Sequence, residues 1–263
     1  MTEHTFTLGI DIGSTTSKCA ILKDGREIVA QSLITLGTGT SGPARSIETV
    51  LREAGLSKDD LTLTAATGYG RNSMPQAELI FSELSCHAKG ACWLFPAVRT
   101  VIDIGGQDVK ALTVLKGRLD QFVMNDKCAA GTGRFLEVMA RILDKDLSEM
   151  PALDACSQKR IDISSTCTVF AESEVISQLA QGVDTCDLVA GIHRSVASRA
   201  ASLAKRLGII EPVFMTGGVA QNSGVVRALE KELGLKVRTD PRAQLAGAIG
   251  AALLAWEQKR EEK

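Results

Sequence analysis

Residues 101–143 read VIDIGGQDVKALTVLKGRLDQFVMNDKCAAGTGRFLEVMARIL, and the fold turns on how this stretch is read. It opens on an apolar run ending in Asp103 and the pair Gly105-Gly106, the pattern of a buried strand feeding a tight turn. Two strand-like segments follow, with a turn near Lys116-Gly117. Cys128 comes next, then the turn Gly131-Thr132-Gly133, then apolar spacing of helical period from Phe135 to Leu143. An acidic-glycine turn and a cysteine ahead of a helix thus lie close together in one segment.

The opening of this stretch occurs once before. Shifted by 92 residues, Ile10, Asp11, Ile12, Gly13, Lys18 and Gly25 fall on Ile102, Asp103, Ile104, Gly105, Lys110 and Gly117. Both copies read strand, acidic-glycine turn, strand, hairpin turn, strand. An internal duplication follows: two α/β domains, with both acidic-glycine turns expected at a shared cleft. The first domain is expected over 1–97 with the C-terminal helix of about 243–263, the second over 98–242.

Around these copies, residues 6–13, 17–23 and 26–34 read as strands. Residues 43–54 have helical spacing, 61–70 read as a strand and turn, and 76–91 as a helix. Helices are expected at 134–144, from Val169 onward, at 187–207, at 224–234 and at 243–257. A polar segment fills 144–160, and VFMTGGVAQN at 213–222 reads as strand, Gly-Gly turn and helix start. A short strand is expected at 235–239.

Thirty basic and 31 acidic residues leave a net charge of −1, so no basic excess points to nucleic acid or to an anionic membrane. MTEHTFTLGIDIG lacks the charged and apolar regions of a signal peptide, and no apolar run reaches the ~18–20 residues of a membrane span. The expectation is a cytoplasmic protein. Seven cysteines, an odd number with no CxxC pair, argue against a disulfide framework and a zinc ribbon.

A phosphate needs backbone N–H groups at close range, which favours glycine at its turns, with hydroxyl donors beside them. DIGSTTSK supplies Gly13, Ser14, Thr15, Thr16 and Lys18; the second copy supplies Gly105 and Gly106, and Gly131, Thr132 and Gly133 form a further candidate cofactor turn. Carboxylates repel phosphate, so Asp11 and Asp103 suit a hydrated Mg²⁺ that bridges it. Gln107 and Asp108 can orient an attacking water. No Walker A or Rossmann glycine pattern is present. This arrangement resembles the actin, hexokinase and Hsp70 (ASKHA) superfamily. By that resemblance Gly217, Gly218, Val219 and Gln221 lie near the base and ribose of ATP or ADP, with Ala246, Gly247 and Ala248 nearby. Taken alone, 217–218 is equally a plain tight turn.

Cys128 and Cys167 each stand in a turn that opens a helix, where unpaired N–H groups and partial positive charge favour a thiolate. Two such cysteines are half the set of a [4Fe–4S] cluster, and a homodimer supplies the rest. Cys19, Cys86, Cys92, Cys156 and Cys186 read as small buried hydrophobes.

NDKCAAGTGRF, STCTVFAESEVISQL, VIDIGGQD and TGGVAQN together resemble the activators of 2-hydroxyacyl-CoA dehydratases, a family that includes the ATPase subunits of benzoyl-CoA reductases. The resemblance spans nearly the whole chain. It implies a homodimeric ATPase with one [4Fe–4S] cluster held between subunits by Cys128 and Cys167. It also implies ferredoxin or flavodoxin as electron donor and a dehydratase component as acceptor. A reductase for a benzoyl-CoA reductase-like or double-cubane protein is the alternative within the family. A small-molecule kinase or an actin-like filament former would leave both cysteines unexplained.

Overall fold

The computed structural model describes residues 4–164 and 167–261. Ser165 and Thr166, the hydroxyl residues ahead of Cys167, lie outside the described residues. The chain divides into two compact units. One takes in the described residues up to Ala97, with Val114–Asp120 and the segment from Gln244 onward; the other takes in Val98–Thr113 and Gln121–Ala243.

The sheet of the first unit has the order β3-β2-β1-β4-β5, from β1 (Phe6–Ile12), β2 (Ser17–Lys23), β3 (Glu27–Ile34), β4 (Leu63–Thr67) and β5 (Leu79–Ile80). Strand β1 runs antiparallel to β2 and parallel to β4. Alternation along the strands feeds two cores. Leu8, Ile10, Ile12, Cys19 and Ile21 pack with Ile47, Val50 and Leu51 of helix α1 (Gly42–Ala54). Ala20 and Leu22 pack on the opposite face with Ala248, Ile249 and Ala252 of helix α8 (Ala246–Glu261). Strands covered on both faces need apolar residues at successive positions, hence the continuous runs in the sequence. Helix α8 also packs on α2 (Glu83–Leu94) and is buried on nearly every side through its first ten residues, where alanine and glycine dominate.

The second unit repeats this plan. Its sheet has the order β8-β7-β6-β9-β10, from β6 (Thr100–Ile104), β7 (Val109–Leu115), β8 (Arg118–Asn125), β9 (Val213–Thr216) and β10 (Val237–Arg238). Strand β6 is antiparallel to β7 and parallel to β9, as β1 is to β2 and β4. The duplication extends to register: Asp11 pairs with Lys18 across β1 and β2, and Asp103 with Lys110 across β6 and β7. The helices of this unit are α3 (Gly133–Ile142), α4 (Met150–Ala155), α5 (Thr168–Ala180), α6 (Thr185–Leu207) and α7 (Ser223–Leu233). Helix α3 packs against α5, and α4, α6 and α7 pack on one another.

Several elements differ from the sequence reading. The helix expected at 76–91 is a two-residue strand followed by α2, which starts only where the Ser82 side chain accepts the N–H of Ser85. The polar segment at 144–160 contains α4, opened by Pro151 in its first turn. The strand at 235–239 shortens to two residues, and the last helix runs on to Glu261. Cys156 and Cys186 are not buried hydrophobes. Cys156 is exposed, Cys186 half-buried, and the two are joined by a disulfide with their Cα atoms 5.7 Å apart. Thirty residues separate them, so no local spacing betrays the pair. No described helix is long and apolar enough to cross a membrane.

Candidate functional site

In the first unit, Asp11 is the last residue but one of β1, its carboxylate buried. Its Oδ2 accepts from Lys18 Nζ at 3.0 Å, the two facing each other across β1 and β2. Its Oδ1 is buried with no hydrogen-bond partner among the described residues. A buried carboxylate oxygen left without a donor is costly, and a metal-bound water would satisfy it. The turn after Asp11 closes with Gly13 N donating to Thr16 O at 2.9 Å, and Gly13, Ser14, Thr15 and Thr16 are all half-exposed. Ala246, Gly247 and Ala248 are buried at the start of α8; a Cβ on Gly247 would stand 2.9 Å from Asp11 Oδ2.

The second unit holds the same device with a different charge balance. Gly105 N donates to Asp108 O at 3.0 Å, the equivalent of the Gly13–Thr16 closure. Lys110 Nζ lies 2.6 Å from Asp108 Oδ2 and 3.4 Å from Asp103 Oδ2, and Thr216 Oγ1 donates to Asp103 Oδ1 at 2.8 Å. Asp103 therefore has donors on both oxygens, and Asp108 is held by Lys110. Gln107 alone of this turn is exposed, while Gly105 and Gly106 are half-exposed.

Sequence reasoning missed one repeat. Gly68 after β4 and Gly217 after β9 both take φ = +85°, and both follow a threonine. A Cβ on Gly68 would meet Asp11 Oδ1 at 2.6 Å, and one on Gly217 would meet Asp103 Oδ1 at 2.9 Å. Each acidic side chain is thus backed by a glycine that supplies both the left-handed turn and the space. The shared Thr-Gly dipeptide was the available signal, too short to stand out unaided. Beyond Gly217, Gly218 and Gln221 are exposed and Val219 is buried, with Gln221 Nε2 donating to Pro241 O at 3.1 Å. Asn222 closes this turn and caps α7, its Oδ1 accepting from Gly224 and Val225 N–H. Its Nδ2 then donates to His193 Nε2 at 3.1 Å, which leaves the proton of this buried ring on Nδ1, 3.2 Å from Asp154 Oδ1.

Cys128 and Cys167 are both half-buried free thiols. Cys167 is the N-cap residue of α5, its side chain making no cap hydrogen bond. Cys128 stands five residues ahead of α3, whose first N–H groups are already used. Gly133 N donates to Gly105 O and Arg134 N to Gly106 O, both at 2.9 Å. The expected N–H donors of α3 therefore serve the glycine turn of β6 rather than Cys128. The cation beside Cys128 is Arg199 of α6, its Nη1 3.7 Å from Sγ, a residue without any motif to announce it. Gly131 and Thr132 are buried, with Thr132 Oγ1 donating to Ala129 O at 2.6 Å. By contrast, burial pushes the Cys19 and Cys86 thiols up to about 12, as inert core positions require.

The described donors suit the groups expected of them. Two accessible thiols, one beside a cation, match soft thiolate ligation, and the unpartnered Asp11 oxygen matches a hydrated cation. The chain is 63% identical over 254 residues to the (R)-2-hydroxyglutaryl-CoA dehydratase activating ATPase of Acidaminococcus fermentans, covering 96% of this chain and 98% of that one. The solved structure of the activator of the 2-hydroxyisocaproyl-CoA dehydratase from Clostridium difficile, with bound ADPNP, is 52% identical with a TM-score of 0.95, covering 98% and 97%. A ROK family glucokinase from Streptomyces griseus, 15% identical over 96% of this chain and 99% of its own, has a TM-score of 0.60 and shows the fold alone: actin/hexokinase-like, with two duplicated α/β units. A family model matches residues 8–255, and by that match and these identities the chain belongs to the BadF/BadG/BcrA/BcrD ATPase family.

Proposed function

We propose that this ATPase is an electron-transfer activator of a 2-hydroxyacyl-CoA dehydratase, working in the cytoplasm of an anaerobic cell as a homodimer. Cys128 and Cys167 of each copy would hold one shared [4Fe–4S] cluster. When bound, such a cluster takes up one electron and passes it on, from a ferredoxin or flavodoxin to the dehydratase component. Gly13, Ser14, Thr15 and Thr16 in one unit, and Gly105 and Gly106 in the other, would bind the phosphates of ATP. Asp11 would hold a hydrated Mg²⁺, with Asp103 beside Lys110 keeping its own turn in shape. Gln107 would orient the attacking water, and Gly217, Gly218, Val219 and Gln221 would border the adenosine.

One observation carries the reading. The Gly105-Gly106 carbonyls accept the first two N–H groups of α3, and α3 packs on α5, the helix that Cys167 caps. A phosphate turn and both cysteine-bearing segments therefore belong to one hydrogen-bonded and packed body. The homodimer is supported by α5, whose first turn exposes Val169 (63%) and Phe170 (66%) directly after Cys167. Large exposed apolar side chains beside a proposed ligand suit an interface.

The test is anaerobic purification with iron analysis and an ATPase assay. The expected product is brown, with about four irons per dimer, and hydrolyses ATP. Cys128→Ala and Cys167→Ala should each abolish iron binding, while Cys156→Ala and Cys186→Ala keep it. Full iron in Cys128→Ala would refute the assignment.

A further inference from the structure

Arg199 sits in the middle of α6, half-buried, and makes no ion pair among the described residues. Its Nη1 lies 3.7 Å from Cys128 Sγ and 3.5 Å from Ala130 O, and its Nε is buried with no hydrogen-bond partner among the described residues. A half-buried guanidinium without a carboxylate is unfavourable unless another anion stands nearby. The group it meets is a sulfur.

The Cys128 loop is also shaped on this side chain. Gly131 takes φ = +91°, and a Cβ there would stand 2.9 Å from Arg199 Cδ and 3.1 Å from its Cβ. The bond from Thr132 Oγ1 to Ala129 O then closes the loop over the arginine stem. The stem sets the path of 128–132, and the guanidinium faces the sulfur that path delivers.

We propose that Arg199 is a positioning residue for Cys128 and that its charge sets the reduction potential of the group Cys128 ligates. The inference rests on the reading of Cys128 as a cluster ligand. A fixed cation at a thiolate ligand favours the more negative, reduced state, so it raises the potential; hydrogen bonds and charge at the sulfurs are recognised levers on it. Removing the cation would make the protein a stronger reductant and harder to reduce.

The test compares parent, Arg199→Gln, Arg199→Lys and the exposed α6 control Arg206→Gln, purified anaerobically, by iron analysis and potentiometric titration with dithionite. The control should match the parent. Arg199→Gln should keep the parental iron and show at least a tenfold lower ratio of reduced to oxidised protein at fixed reductant potential, about 59 mV for one electron. Arg199→Lys should restore most of that ratio. Loss of iron in Arg199→Gln with retention and parental potential in Arg199→Lys would also support the charge. A parental potential in Arg199→Gln overturns the proposal, as does a Lys variant that shifts like Gln or loses iron with it. A parent without iron would instead sink the cluster reading itself.

Discussion

Asp11 and Asp103 occupy equivalent places in the two units, yet one oxygen separates them. Asp103 has donors at both oxygens, from Thr216 and Lys110, whereas Asp11 Oδ1 has none among the described residues. The demand for a bound water therefore falls on Asp11. Asp11→Asn should lower the ATP hydrolysis rate by about 100-fold, roughly 2.7 kcal/mol, and Asp103→Asn by about tenfold or less. Steady-state hydrolysis by variants shown to be folded checks this; a larger loss in Asp103→Asn would reverse the roles. Asp154 carries a second residue-scale prediction. Burial opposes its ionisation, but the His193 ring and the Arg227 guanidinium, 2.6 Å from Oδ2, outweigh it and hold the carboxyl below its ordinary 3.8. A depressed value means the contribution is complete above the unfolded value and is lost as pH falls through the folded one. Asp154→Asn should thus cost about 1 kcal/mol or less at pH 7, since solvent screens the partly exposed pair, and the gap from the parent should narrow as pH falls below 3.8 in urea titrations. A gap that persists at low pH would mean that the lost term is packing. At this scale the sequence revealed the acidic residues and the cysteines, because glycine turns and helix starts flank them. It hid Arg199, His193 and Asp154, whose partners lie 29 to 73 residues away.

Helices with a strong apolar period were legible as elements. Helix α1 has its proline in the first turn and Gly55 in the left-handed region just past its end, and α7 has Asn222 as its N-cap and Gly234 in the left-handed region past its end. What failed was local and short. Helix α4 is six residues long, and β5 is two residues paired with its neighbour β4. Such pieces form because tertiary contacts exist, so no window of sequence contains their signal. Helix α5 makes the prediction that belongs to elements. Only Ala171 and Val175 of its thirteen residues are buried, while Val169, Phe170 and Ile176 face outward. A helix so thinly anchored to its own unit is expected to find its remaining cover in a second copy. Phe170→Asp should weaken dimerisation of the cluster-free protein by at least tenfold, about 1.4 kcal/mol, measured by sedimentation equilibrium. An unchanged association constant would remove this face from the interface.

At the scale of the molecule, one strand plan is used twice and then modified. The 92-residue offset was readable because both copies keep Ile-Asp-Ile-Gly, a buried strand running into a tight turn. The second half of each plan, Thr67-Gly68 and Thr216-Gly217, was not, since the insertions between β8 and β9 break the spacing. Those insertions are α3 to α6, and they carry both candidate ligands. Their attachment decides how a nucleotide can act on them. Gly105 O and Gly106 O hold the first turn of α3, α3 lies on α5, and Cys167 caps α5. Any displacement of the Gly105-Gly106 turn on binding phosphate moves α3 through two hydrogen bonds of 2.9 Å, and moves α5 through packing that resists compression. The segment from Asp126 to Thr132 joins β8 to α3, so Cys128 follows the same turn. Nucleotide should therefore change the exposure of whatever the cysteines hold, and with it the ease with which that group is removed. The reduced, iron-loaded dimer should lose iron to a chelator several-fold faster with MgATP than without it. The Arg134→Pro variant, which deletes one of the two N–H donors at a helix position that tolerates proline, should shrink that ratio while ATP still binds. Equal chelation rates with and without MgATP in the parent would mean that the turn does not move the helices, and that the connection through α3 is structural only.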